Sequence, residues 1–161
     1  MKKIENRRML DEIIDSIPVF KMYERGYKCR IVVTGSFLLH MNGLADGFDD
    51  IDILIIDVPQ SFWSELLSNG YRWEIKDYGE YKSVKVKRNG FVYNLIQDNE
   101  YCEIGNGFID CNGEIEMDTL SNALKAKANL NRPKDHVYFK FLIEQISAYL
   151  PNPESGKINP Q

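Results

Sequence analysis

The sequence predicts an α+β domain: a small mixed β-sheet with helices packed on one side, followed by C-terminal helices. Three observations carry this. Short β-branched runs at 29–33, 50–56 and 91–96 are interleaved with segments whose apolar residues recur at helical spacing. Arg88-Asn89-Gly90 separates two strand-like runs, and Asn-Gly between such runs is the strongest short hairpin signal. Two helical segments, 121–130 and 136–150, then close the patterned chain. A length of 161 residues suits one compact domain over 1–150. The remainder, 151–161, reads PNPESGKINPQ, lacks apolar pattern and is expected to be a disordered tail.

The elements follow in order. Ile4, Met9, Leu10, Ile13, Ile14 and Ile17 fall at helical spacing within 4–24, and Pro18 is expected to kink or end that helix. Gly26 leads into the strand Cys29–Val33. Gly35-Ser36 punctuates the strand, Ser36 is expected to cap a helix over Phe37–Met41, and Asn42-Gly43 stops it. A polar loop, Ala45–Asp49, delivers the chain to the strand Asp50–Ile56. Pro59 opens a second helix through Leu67, stopped by Asn69-Gly70. Tyr71–Ile75 is a strand candidate, and Val84–Lys87 with Phe91–Ile96 forms the hairpin. Tyr101–Asp110 fits no single pattern, Glu114–Met117 is a brief strand, and Arg132-Pro133 separates the last two helices.

Composition narrows the function. A net charge of −4 and a pI near 5.3 argue against duplex DNA as a partner, because such proteins carry a broad basic field. A small anionic substrate handled through a metal ion stays open, since the ion supplies positive charge. Cys29, Cys102 and Cys111 are too few and too scattered for a disulfide framework or a zinc site, and reduced thiols point to the cytoplasm. The start, MKKIENRRMLDEIID, has no apolar core of signal length, and no run reaches the ~18 residues of a spanning helix. A soluble, cytoplasmic protein is expected.

The unusual stretch is GSFLLHMNGLADGFDDID at 35–52, which gathers three aspartates beside an apolar strand. Side chains alternate faces along a strand, so Asp50 and Asp52 point one way while Ile51 and Ile53 point into the core. Two like charges on one face oppose each other unless a cation lies between them. Mg²⁺ commonly takes one or two carboxylates together with substrate phosphates. Asp49 faces the other way and belongs to the loop. Gly35 allows close approach of a phosphate to the backbone, and the Ser36 hydroxyl adds a donor.

The combination resembles the signature of the nucleotidyltransferase superfamily, the DNA polymerase β-like group that includes the minimal prokaryotic enzymes. The motif is an apolar strand, Gly-[Gly/Ser], a helix, then Asp-apolar-[Asp/Glu] on the next strand. Here it reads VVTGS, thirteen intervening residues, and DIDILII. A Lys-rich helix and the turn Arg132-Pro133-Lys134-Asp135 extend the resemblance to bacterial and phage members, including toxin-like ones.

The resemblance implies two Mg²⁺ (or Mn²⁺) ions held by Asp50 and Asp52, a nucleoside triphosphate contacted by Gly35 and Ser36, and release of pyrophosphate. The acceptor would be a hydroxyl of a tRNA end or other RNA, a protein side chain, or a small molecule. Active members usually add a third carboxylate on a later strand. The matching position in FVYNLIQ is Asn94, whose amide oxygen carries no charge and accepts no proton at neutral pH. Asp98 shares its face but lies roughly 13 Å along the strand; Glu74 is a substitute candidate. A weakened member that binds nucleotide or a protein partner without turnover is therefore the alternative.

Other residues carry two readings each. Lys127 falls within the apolar arc of its helix, where it either meets a triphosphate or snorkels from the core edge. His40 lies one turn after Ser36 on the same helical face, where it either approaches the phosphates or, the favoured reading, is a packing or surface histidine. Arg132, Lys134 and Asp135 form either a nucleotide-side turn or a boundary charge cluster. Lys82, Lys85, Lys87 and Arg88 read as a basic strand edge that guards against aggregation or meets an RNA acceptor.

Overall fold

The computed structural model describes residues 1–17, 29–57, 59, 61–64, 73–77, 82–98, 105–110, 112–136, 139–140, 143–144 and 147. Expectations for Pro18, residues 65–67, Cys102, Cys111 and the tail 151–161 fall outside these residues. So do those for Tyr101 and for parts of the last helix, whose residues 139, 140, 143, 144 and 147 are helical.

Helix α1 (Arg7–Asp15) starts three residues later than its apolar periodicity. The reason is local. Asn6 accepts from the Met9 amide at 2.9 Å and caps the helix there. The Ile4 amide, left outside, donates to His40 Nε2 at 3.0 Å. Strand β1 (Arg30–Thr34) runs directly into α2 (Gly35–Met41). Gly35 makes that corner at φ 70°, a left-handed value that favours glycine. This displaces the expected cap. Thr34, not Ser36, flanks the helix, and Ser36 is buried within its first turn.

Strands β2 (Asp50–Ile56), β3 (Trp73–Asp77), β4 (Lys82–Arg88), β5 (Phe91–Gln97) and β6 (Ile115–Met117) complete the sheet. Helix α3 (Leu120–Leu130) and a 3₁₀ turn (Pro133–Asp135) follow. The six strands are ordered β3-β4-β5-β2-β1-β6. Strands β2 and β5 pair in parallel, as do β1 and β6; the other neighbours are antiparallel. The β4–β5 hairpin closes on Asn89 and Gly90, at φ 51° and 82°, the twist a two-residue loop needs.

One sheet face carries the main core. Ile31, Val33, Ile51, Ile53, Ile55, Val86, Tyr93 and Leu95 pack with Ile13 of α1, Phe37 of α2 and Ala123 of α3. The described helices thus lie on one side, as expected of this α+β class. The opposite face has a smaller apolar patch of Val32, Leu54 and Ile56. Ile96 packs against that patch, and polar residues share the face with it. The basic strand is not an edge: β3 pairs along the outer side of β4, because the two runs form an antiparallel hairpin. That corrects the edge-guard reading of Lys82, Lys85, Lys87 and Arg88.

Candidate active site

The register builds a polar line across the second face. Lys85 stands opposite Asn94, Asn94 beside Asp52, and Asp52 opposite Thr34. At the other end, the Asp118 amide donates to the Val33 carbonyl at 2.9 Å, and the Thr34 hydroxyl donates to Asp118 Oδ2 at 2.7 Å. Period-two alternation along each strand puts these side chains on one face.

At the centre, Asp52 Oδ1 accepts from Asn94 Nδ2 at 3.2 Å. Its other oxygen lies against Gly35. A Cβ there would overlap Asp52 Oδ2 and come within 3.0 Å of its Cγ. Only glycine lets the strand-to-helix corner sit so close to the carboxylate. Burial pushes the Asp52 carboxyl above the usual carboxylate range, and the Asp50 charge adds to the rise. The Lys127 charge, the Asn94 hydrogen bond and the Arg132 charge pull the other way. Asp50 has a cation of its own: Lys85 Nζ stands 3.1 Å from its Oδ2. Asp49 is exposed and pairs with the chain's N-terminal ammonium at 3.7 Å.

A second charged group lies at the end of α3. Asp135 is fully buried and takes Arg132 through two bonds of 2.7 and 3.0 Å. Lys127 Nζ, itself 7% exposed, sits 3.5 Å from the same carboxylate. Burial alone would raise Asp135, but the Arg132 hydrogen bonds and the neighbouring Lys127 charge overturn that and hold it below the usual range. The inward lysine therefore has an anion within the fold, and both cations bear electrostatically on Asp52.

Asp50 and Asp52 thus share a face with Gly35 at its end, and Ser36 follows directly in α2. Lys134 is exposed on the 3₁₀ turn. His40 is a staple: with Nε2 receiving the Ile4 amide, Nδ1 faces the Ala45 carbonyl at 3.0 Å, which ties the N-terminus to the loop before Asp50. Asp98 follows β5, and its amide donates to the Ile55 carbonyl at 3.1 Å. Sequence reasoning missed Thr34, Asp118 and the Lys85–Asp50 pair. Asp118-Thr119 ahead of an apolar helix was a visible cap signal, whereas the other contacts depend on strand order.

The donors suit a hard cation. Asp50 and Asp52 offer carboxylate oxygens, and Asn94 Oδ1 is buried with no hydrogen-bond partner among the described residues. Among those residues no cluster of three or more His, Cys, Asp or Glu is placed to hold a metal. No described helix is long and apolar enough to cross a membrane.

No protein-family model and no curated protein matches the chain. Solved structures similar to it include a cytoplasmic RNA terminal U-transferase, at 16% identity and TM-score 0.46, covering 60% of this chain and 32% of that one. Cid1 in complex with its short product ApU is similar at 18% identity and TM-score 0.44, with the same coverages, 60% and 32%. The chain thus spans about a third of the length of those structures.

Proposed function

We propose that this protein is a divalent-metal-dependent nucleotidyltransferase that moves a nucleoside monophosphate from a triphosphate to a hydroxyl acceptor. The observation that carries the reading is the contact between Gly35 and Asp52. A corner without a side chain lies against a carboxylate whose burial raises its pKa, with Asp50 on the same face. Such a carboxylate costs free energy in isolation, and a cation with its triphosphate relieves that cost.

In this reading Asp50 and Asp52 hold the ion with Asn94 Oδ1. Bound Mg²⁺ or Mn²⁺ would supply charge neutralisation at the phosphates and a more acidic acceptor hydroxyl. Gly35 and Ser36 meet the triphosphate, Lys127 and Arg132 set the local potential, and exposed Lys134 meets the outer phosphate or the acceptor. The acceptor oxygen bonds to the α-phosphorus as the bond to pyrophosphate breaks, a reaction governed by positioning and electrostatics. Asn94 takes no proton, so the hydroxyl proton leaves to a phosphate oxygen or to water. An RNA or protein hydroxyl is the acceptor class, and a cytoplasmic setting fits it.

One observation favours a second reading. With Asn94 at the third position and Lys85 on Asp50, the centre carries less negative charge than a three-carboxylate site, which suits a module that binds nucleotide without turnover. Labelled nucleoside triphosphates with Mg²⁺ or Mn²⁺ and total cellular RNA and protein separate the two. Label transfer that disappears in Asp50→Ala/Asp52→Ala is the expected result. Tight nucleotide binding without transfer supports the module, and no nucleotide binding at all rejects both.

A further inference from the structure

Asp118 is a fully buried carboxylate that no step of the proposed reaction uses. It lies between β6 and α3, and its Oδ2 accepts from the Thr34 hydroxyl at 2.7 Å and from Asn122 Nδ2 at 2.8 Å. Its Oδ1 accepts from the Thr119 amide at 2.8 Å. Thr34, itself buried, therefore commits its one hydroxyl proton to Asp118.

A second carboxylate lies within reach of that hydroxyl. Thr34 is the antiparallel register partner of Asp52, and opposite residues hold their Cβ atoms about 4.5–5.5 Å apart on one face of a sheet. Asp52 Oδ1 takes Asn94 Nδ2, whereas Oδ2 leans on the Gly35 corner, the residue next to Thr34. A change of rotamer at Thr34 would turn its hydroxyl from Asp118 toward Asp52 Oδ2. Bound there, it would occupy a lone pair that a cation needs and offset part of the charge that attracts the cation.

We infer that Asp118 is a positioning residue: by holding the Thr34 hydroxyl it keeps Asp52 Oδ2 open for a divalent cation. The inference rests on the metal-centre reading above and deepens it. Asp118 acts through Thr34 rather than on the ion, and its effect disappears when residue 34 has no hydroxyl.

The test is a Mn²⁺ titration of the whole chain without substrate, read by electron paramagnetic resonance, with Asp50→Asn/Asp52→Asn as background. The native chain binds Mn²⁺ above background. Thr34→Val, which has no hydroxyl to misdirect, binds it within about twofold of native. Asp118→Asn, which turns one acceptor into a donor, binds it roughly tenfold weaker, the scale of one hydrogen bond to a charged group. Adding Thr34→Val to Asp118→Asn restores the affinity, whereas adding Thr34→Ser, which keeps a hydroxyl, does not. A merely structural Asp118 would leave both double variants as weak as the single one. That result, or unchanged affinity in Asp118→Asn, overturns the inference and leaves the metal centre standing. If Asp118→Asn fails to fold, Thr34→Val decides: affinity kept supports the inference, and affinity lost overturns it. Absence of Mn²⁺ binding above background in the native chain overturns the metal centre itself.

Discussion

Asp52 and Asp135 are both carboxylates withdrawn from water, and their surroundings shift them in opposite directions. Asp135 is fully buried yet held below the usual carboxylate range, because Arg132 grips both its oxygens and Lys127 stands behind. Asp52 is raised, first by burial and then by the like charge of Asp50, which the Lys127 charge and the hydrogen bond from the neutral Asn94 amide only partly offset. Withdrawal from water pushes both carboxyls up, and only at Asp135 are the partners strong enough to reverse the sign. One carboxylate is clamped by two cations, and the other has a neutral amide as its hydrogen-bond partner.

The largest effect expected from breaking this contrast lies at the satisfied carboxylate. Asp135→Ala removes the anion shared by Lys127 and Arg132, and stripping one partner from a buried ion pair costs roughly 3–5 kcal/mol. A drop of that size in urea denaturation is the expected outcome. Its pH dependence follows from the lowered pKa. The stability contributed by Asp135 is present above the ordinary carboxylate pKa of the unfolded chain and is lost as pH falls through the lowered folded value. Acid unfolding of the alanine variant therefore loses part of its dependence below the ordinary carboxylate range. A variant as stable as the native chain would show that the clamp contributes nothing.

Next in size is Gly35→Ala, which acts at the boundary between fold and site. Alanine at φ 70° carries left-handed strain, and its Cβ overlaps Asp52 Oδ2. Strain and overlap together cost about 2–4 kcal/mol. The informative comparison is Gly35→Ala in an Asp52→Gly background. Relief of the overlap should recover part of the loss, and additive losses would mean that the two residues do not share space.

How much of this was legible beforehand depends on how local each signal is. The hairpin is written in Asn89-Gly90, and the shared face of Asp50 and Asp52 follows from alternation. The buried place of Lys127 follows from helical period. Ser36 misled because a residue that caps well by propensity gave way to a glycine corner, whose left-handed φ starts the helix two residues earlier. The onset of α1 misled because Asn6 outcompetes the apolar period as a start signal. Thr34 and Asp118 were out of reach for another reason: they lie 84 residues apart, and only parallel pairing of β1 with β6 brings them together. Lys85 likewise looked like an edge guard until β3 was found to cover its strand.

The smallest of these effects has the opposite sign. Asp52→Asn keeps the shape and the hydrogen-bonding capacity beside Asn94 but removes a charge that burial disfavours. A carboxyl whose folded pKa is raised contributes its stability below the ordinary pKa of the unfolded chain and loses it as pH rises through the folded value. As pH rises the native chain therefore takes on the cost of the ionised group, opposed by Lys127 and Arg132 and enlarged by Asp50. In chelator-treated protein, Asp52→Asn should be more stable by up to about 1 kcal/mol, a rise of roughly 2–4 °C in Tm. The gain should shrink as pH falls from the raised folded value toward the ordinary carboxylate pKa, and be gone below it. Under the proposed function the same substitution abolishes transfer, the trade expected where a site keeps a charge for its ligand at the fold's expense. A destabilised variant at neutral pH would mean that Asp52 is already satisfied within the fold, as Asp135 is, and the contrast between the two carboxylates would disappear.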